Sequence, residues 1–147
     1  MRRFVIGISG ASGAIYGIRL MQFLREQPGF EVHLVMTRSG GVSLRLENPD
    51  WELARVKELA HVVHREDDIA ASIASGSFAV ETMVVAPCSM RSLGAIAHGL
   101  SDNLLTRAAD VMLKERRKLI LLARETPLHA VHIKNMLAVT EMGGIIL

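Results

Sequence analysis

Gly7-Ile8-Ser9-Gly10-Ala11-Ser12-Gly13 follows an apolar run, Phe4-Val5-Ile6, and precedes an amphipathic stretch from Ile15 to Leu24. That order predicts a strand, a turn of small residues and a helix. A turn of Gly, Ala and Ser lets a ligand come close to the backbone. Free N–H groups at the helix start, together with the helix dipole, favour an anion there. The turn is not the dinucleotide fingerprint, because G-x-G-x-x-G needs a glycine ahead of Gly10 and Gly13 where Ile8 stands. The second predicted strand, Glu31 to Thr37, ends in Thr37-Arg38 and lacks the acid that would hold an NAD ribose. Thr37 can donate to a phosphate that a carboxylate would repel. FMN or another mononucleotide is therefore favoured over NAD. The plainer reading is a tight Gly-rich turn with no ligand, and the two serines inside the turn count against it.

The 147 residues fit one domain, spanning 1–147, by the length of typical domains. Such a chain buries roughly two-thirds of its unfolded surface. Seventeen basic residues against fifteen acidic leave a net charge of +2, too balanced to imply nucleic acid. No apolar stretch is long enough for a membrane span, and Gly and Ser interrupt what would be a signal-peptide core. One cysteine excludes an internal disulfide and suits a reducing, cytoplasmic setting.

Strand and helix patterns alternate along the chain. Strands are predicted at 3–9, 31–37, 61–64, 82–86, 118–123 and 144–147. Helices are predicted at 14–26, 41–47, 51–59, 68–74, 90–98, 103–116 and 128–141. Pro127 fits a first helical turn, and Gly143-Gly144 stop the last helix. Strands rich in Val, Ile and Leu on both faces suit a parallel sheet covered on both sides. The expected fold is a doubly wound α/β parallel sheet, Rossmann-like, with strand order 3-2-1-4-5-6. Ligands of such sheets sit beyond the carboxyl ends of the strands, where the order reverses. The polar segments Ser9–Gly13, Thr37, Ala86-Pro87-Cys88-Ser89-Met90 and Arg124-Glu125-Thr126-Pro127 all fall at those ends.

Other residues take plainer readings. Cys88, after Pro87, reads as a small packed residue rather than a nucleophile. His129 and His132, like His61 and His64, are spaced i, i+3 but lack the further ligands zinc requires, so no metal is expected. Met21, Met36, Met83, Met112 and Met136 read as core filler. Arg116, Arg117 and Lys118 read as a solvated helix end. Arg107 and Lys114, seven residues apart, lie near one helical face.

The chain resembles the flavin prenyltransferases of the UbiX type, formerly called aromatic-acid decarboxylases, almost end to end. The resemblance lies in Gly7-Ile8-Ser9-Gly10-Ala11-Ser12-Gly13-Ala14, Ala74-Ser75-Gly76-Ser77-Phe78, Val85-Ala86-Pro87-Cys88-Ser89-Met90, Asn103 to Val111, Leu113-Lys114-Glu115-Arg116-Arg117 and Arg124-Glu125-Thr126-Pro127-Leu128-His129. It implies an FMN-binding fold that transfers a dimethylallyl group from dimethylallyl phosphate to reduced FMN. The product would serve a decarboxylase of the UbiD type. It also implies a homo-oligomer, commonly a dodecamer, with sites at subunit junctions and no metal.

Carried over residue by residue, the resemblance implies that Gly10, Ala11, Ser12, Gly13 and Thr37 bind FMN. Cys88, Ser89, Met90, Arg91 and Arg124 are implied to contact the flavin. Glu125 is the implied acid/base group, Arg107 and Lys114 face the prenyl phosphate, Ser12 relays a proton, and Glu47 is a site glutamate. Relatives continue past Ile145-Ile146-Leu147 with a tail implied to carry a tyrosine and a basic residue for the prenyl phosphate. Tyr16, the one tyrosine here, is on the first predicted helix. The resemblance thus implies a complete FMN half and an incomplete prenyl-phosphate half. Two other readings stand beside it: a non-catalytic FMN-binding or assembly subunit, and a flavin-dependent cysteine decarboxylase on the same fold. The latter relies on an Asn-rich motif where this chain has Pro87-Cys88-Ser89-Met90.

Overall fold

Six parallel strands form one sheet: β1 (Arg2–Ile8), β2 (Phe30–Met36), β3 (Val62–His64), β4 (Thr82–Cys88), β5 (Lys118–Ala123) and β6 (Ile145–Ile146). Their spatial order, β3-β2-β1-β4-β5-β6, is the one the sequence predicts. This computed structural model describes residues 1–147. Six α-helices connect the strands: α1 (Ala14–Glu26), α2 (Arg38–Glu47), α3 (Leu53–Glu58), α4 (Met90–Ala97), α5 (Leu104–Lys114) and α6 (Ala130–Glu141).

Strand side chains alternate between two cores, as the pleat requires. Ile6, Ile8, Val32 and Leu34 pack with Ile18, Met21, Leu24, Leu44 and Val56 from α1, α2 and α3. Val5, Val35, Met83 and Val85 pack on the other face with Leu93, Leu104, Leu105, Met112 and Val139 from α4, α5 and α6. The order in which strands are added reverses between β1 and β4, which are parallel neighbours paired Phe4 to Thr82 through Gly7 to Val85.

Several element boundaries differ from the sequence reading. The helix expected at 68–74 is a single 3₁₀ turn, Ser72–Ala74. Asp68 Oδ1 accepts from Ala70 N–H at 3.2 Å, a local bond that competes with helix. The second helix starts at Arg38 rather than 41, because Thr37 Oγ accepts from Gly40 N–H and caps it. The last helix starts at Ala130, and Pro127 lies outside it. His129 is its cap, with Nδ1 accepting from Val131 and His132 N–H. Arg117 is not simply solvated: its guanidinium donates to Gly76 O at 2.6 Å and Phe78 O at 2.9 Å.

Candidate functional site

Three helices begin at the carboxyl edge of the sheet beside the β1–β4 switch, and none carries an acid in its first turn. Their free N–H groups and dipoles make this edge electropositive. The cap of α1 is Gly13, whose φ of 108° is the left-handed region, and no side chain covers the amides behind it. Thr37 caps α2, and Ser89 caps α4 by accepting from Ser92 N–H at 3.1 Å.

Ser9 joins the two strands at the switch. It is almost fully buried, donates from Oγ to Pro87 O at 2.9 Å and accepts from Ser89 N–H at 2.8 Å. The turn that follows lies against α2: a Cβ built on Gly10 would stand 2.6 Å from Ser39 Cβ. Only glycine allows the β1–α1 turn and the α2 start to meet this closely.

A cavity of about 630 Å³ opens over this junction, lined by Gly10, Ala11, Ser12, Ser89, Met90, Ala123, Arg124, Glu125 and Thr126. A second, of about 340 Å³, adjoins it and shares Gly10, Ser89, Met90 and Glu125. It adds Thr37, Arg38, Ser39, Glu66, Arg91, Ser92 and Asn103. Ligand cavities are typically about 300–1,000 Å³, so a mononucleotide flavin fits. Arg124 is held by its N–H on Cys88 O at 3.3 Å, and its guanidinium stands 5.8 Å from the centre of the Tyr16 ring. Glu125 is exposed, and its Oε1 accepts from Thr126 N–H at 3.1 Å. Arg91 pairs with Asp102 at 2.8 Å.

The structure therefore gathers Gly10, Ala11, Ser12, Thr37, Ser89, Met90, Arg91, Arg124 and Glu125 around one crevice, with Gly13 directly behind it. It does not bring Cys88, Glu47, Arg107 or Lys114 to that crevice. The Cys88 side chain is fully buried in the core, and burial pushes its thiol up to about 12. The Cys88 side chain is therefore not free to reach a ligand in the crevice, and its carbonyl holds Arg124. Glu47 ends α2, roughly 15 Å of helix away from Thr37. Arg107 donates to Ala74 O at 3.1 Å and pairs with Asp110 at 3.3 Å. Lys114 donates to Glu115 Oε1 at 2.5 Å, which holds that carboxyl below its ordinary range. Arg107 and Lys114 thus stand against the 74–78 loop.

Thr126, from the strand-end segment the sequence marked, also lines the crevice, and so do Ser39, Glu66, Ser92, Asn103 and Ala123, which the sequence reading did not assign to the site. Ser92 stands in the first turn of the helix that follows β4, which is the signal that could have found it, whereas Asn103 caps a helix that follows another helix. Glu66 has no such signal, since its place depends on how β3 pairs with β2. The histidines are engaged in structure: His61 Nδ1 accepts from Val32 N–H, and His129 and His132 cap α6 and stack 3.4 Å apart.

A family model described as Flavoprotein matches residues 1–147. The flavin prenyltransferase UbiX of Escherichia coli (strain K12) is 53% identical over 147 residues, covering 100% of this chain and 77% of that protein. The crystal structure of AnUbiX in complex with FMN and dimethylallyl pyrophosphate superposes with a TM-score of 0.95 at 47% identity, covering 99% of this chain and 76% of that one. A dodecameric FMN-dependent UbiX-like decarboxylase from Escherichia coli O157:H7 also gives 0.95, at 46% identity, covering 98% and 77% of the two chains. With the family model matched over residues 1–147 and this identity and superposition along its whole length, the chain belongs to the flavoprotein family and, within it, to the flavin prenyltransferases of the UbiX type.

Proposed function

We propose that this protein is a flavin prenyltransferase, moving a dimethylallyl group from dimethylallyl phosphate to reduced FMN and releasing phosphate. The observation that carries the reading is the crevice itself: a small-residue turn and three acid-free helix starts on one side, Arg124 and Glu125 on the other. Reduced FMN, when bound, supplies the electron-rich centre that accepts the dimethylallyl group. Every remaining requirement falls on the chain. Amides of the Gly10–Gly13 turn and the hydroxyls of Ser12 and Thr37 bind phosphate; Thr37 keeps its O–H for this, because its oxygen already accepts from Gly40. The Arg124 charge steadies an electron-rich ring. Glu125, exposed in both cavities, takes the proton released at the acceptor and returns it to departing phosphate.

Arg107, Lys114 and Glu47 lie outside their own crevice, so their assigned roles require a second copy of the chain. We therefore include a homo-oligomer, of which a dodecamer is one form, with sites completed across subunits. The prenylated flavin is the kind of product that a UbiD-type decarboxylase would consume. One buried, unpaired cysteine suits a reducing cytoplasm. No helix is long and apolar enough to cross a membrane. The test is to mix the protein with reduced FMN and dimethylallyl phosphate and weigh the flavin. A gain of one dimethylallyl unit, lost in Glu125→Gln, is expected. Unchanged flavin would overturn the reaction, and full activity in Glu125→Gln would remove that residue's role.

A further inference from the structure

Glu66 places a carboxylate against the head of α2, a helix with no acid in its own first turn. It follows β3, is half-buried and lines the second cavity. Two bonds hold it: its carbonyl accepts from Leu104 N–H at 2.7 Å, and its Oε1 accepts from Arg38 N–H at 2.9 Å. Arg38 is the first residue of α2, so the carboxylate sits on the helix's leading amide. The neighbouring donors belong to the anion cradle: Thr37 O–H, the N–H of Ser39, and the Gly10 turn pressed against Ser39.

A phosphate held by the turn and by Thr37 and Ser39 thus meets donors on one side and a fixed carboxylate beside them. That carboxylate takes one amide out of reach and adds like-charge repulsion across a short distance. For a protein that keeps its flavin, this arrangement is a defect. For one that consumes FMN and hands on the product, it is useful. We propose that Glu66 sets the rate of flavin release: its carboxylate limits the hold on the flavin phosphate so that the modified flavin can leave. The inference rests on the prenyl-transfer reading, because only there is the flavin a product.

Glu66→Gln tests it, since the amide oxygen still accepts from Arg38 N–H while the charge is gone. Glu66→Asp restores the charge. Release of FMN and of riboflavin, which lacks the phosphate, is followed by stopped-flow fluorescence after dilution. In Glu66→Gln, FMN release should slow about tenfold, equivalent to ~1.4 kcal/mol. Riboflavin release should not follow it, Glu66→Asp should stay near the unaltered rate, and the difference should shrink as salt is raised. Equal slowing of FMN and riboflavin would make Glu66 a purely structural cap and overturn the proposal. FMN release that is unchanged or faster in Glu66→Gln would overturn it as well. Failure of the unaltered chain to bind FMN would remove both readings. Binding without prenyl transfer, with FMN-selective slowing in Glu66→Gln, would remove the reaction and leave the charge effect standing.

Discussion

Ser12 stands at the exposed tip of the turn, one residue before the uncapped start of α1, and lines the larger cavity. Its small hydroxyl donates where a phosphate would approach, and a carboxylate in its place would repel that phosphate. Ser12→Asp should therefore weaken FMN binding at least tenfold, or ~1.4 kcal/mol, by fluorescence titration. Unchanged affinity would move the phosphate away from the turn. Glycine, alanine and serine in this turn were legible as a ligand cradle because their chemistry is local. Cys88 was legible as a packed residue, but whether it also touched the flavin was not. Its burial follows from β4 lying between β1 and β5.

Between elements, two small polar links do more than the sequence announces. Ser9 bridges the ends of β1 and β4, holding Pro87 O and Ser89 N–H with one hydroxyl. Ser9→Ala leaves a buried carbonyl and a part-buried N–H with fewer partners, at a cost of about 1–3 kcal/mol. A lower urea midpoint and weaker flavin binding should appear together, because Ser89 caps α4 in the crevice. The second link runs through β2 and β3. His33 Nδ1 meets His64 Nε2 at 2.9 Å, and His33 Nε2 meets Glu31 Oε1 at 2.6 Å, where Arg3 Nε also donates at 3.1 Å. The Phe78 ring edge closes over His33.

Burial holds His64 below its ordinary 6.5, helped by His33 and opposed by Asp68. The unfolded chain therefore takes up that proton first, so His64's contribution is complete above pH 6.5 and lost as pH falls below it. The hydrogen bond from His33 holds Glu31 below 4.5, so its contribution is lost only below that. Urea midpoints should decline between pH 6.5 and 4.5, and His64→Gln, which keeps a donor for His33, should flatten that decline. An unchanged slope in His64→Gln would place the titrating group elsewhere. None of this was visible in the i, i+3 spacing of His61 and His64, because the partner is a strand neighbour thirty-one residues away.

Across the whole molecule, Glu47, Arg107 and Lys114 lie outside the crevice of their own chain. One face of α6 also presents Ile133 and Leu137, four residues apart and each more than half exposed. Exposed apolar faces of this kind mark contact surfaces. Light scattering should give a species larger than a dimer at micromolar protein. Glu47→Gln should lower prenyl transfer at least tenfold, or ~1.4 kcal/mol, while leaving FMN binding near normal, because its own crevice lies a helix length away. A monomer with full activity would show that one chain completes its own site and would remove the shared-site reading.

What the sequence determined by itself is what local chemistry and periodicity encode. That covers the alternation of strand and helix, the order of the sheet, and the small-residue turn with no ribose-binding acid. It also covers the strand-end segments that carry Ser12, Thr37, Ser89 and Arg124. Helix starts shifted where a side chain such as Thr37 or His129 took an amide, since capping is a contest between neighbours that periodicity does not register. Tertiary structure alone decided the rest. Glu66 reached the head of α2 only because β3 pairs with β2 and its carbonyl is tied to α5. Arg107 and Lys114 faced the 74–78 loop because α5 packs that way against the sheet. Those placements depend on contacts between residues far apart in the chain, whose free energies no single stretch of sequence contains.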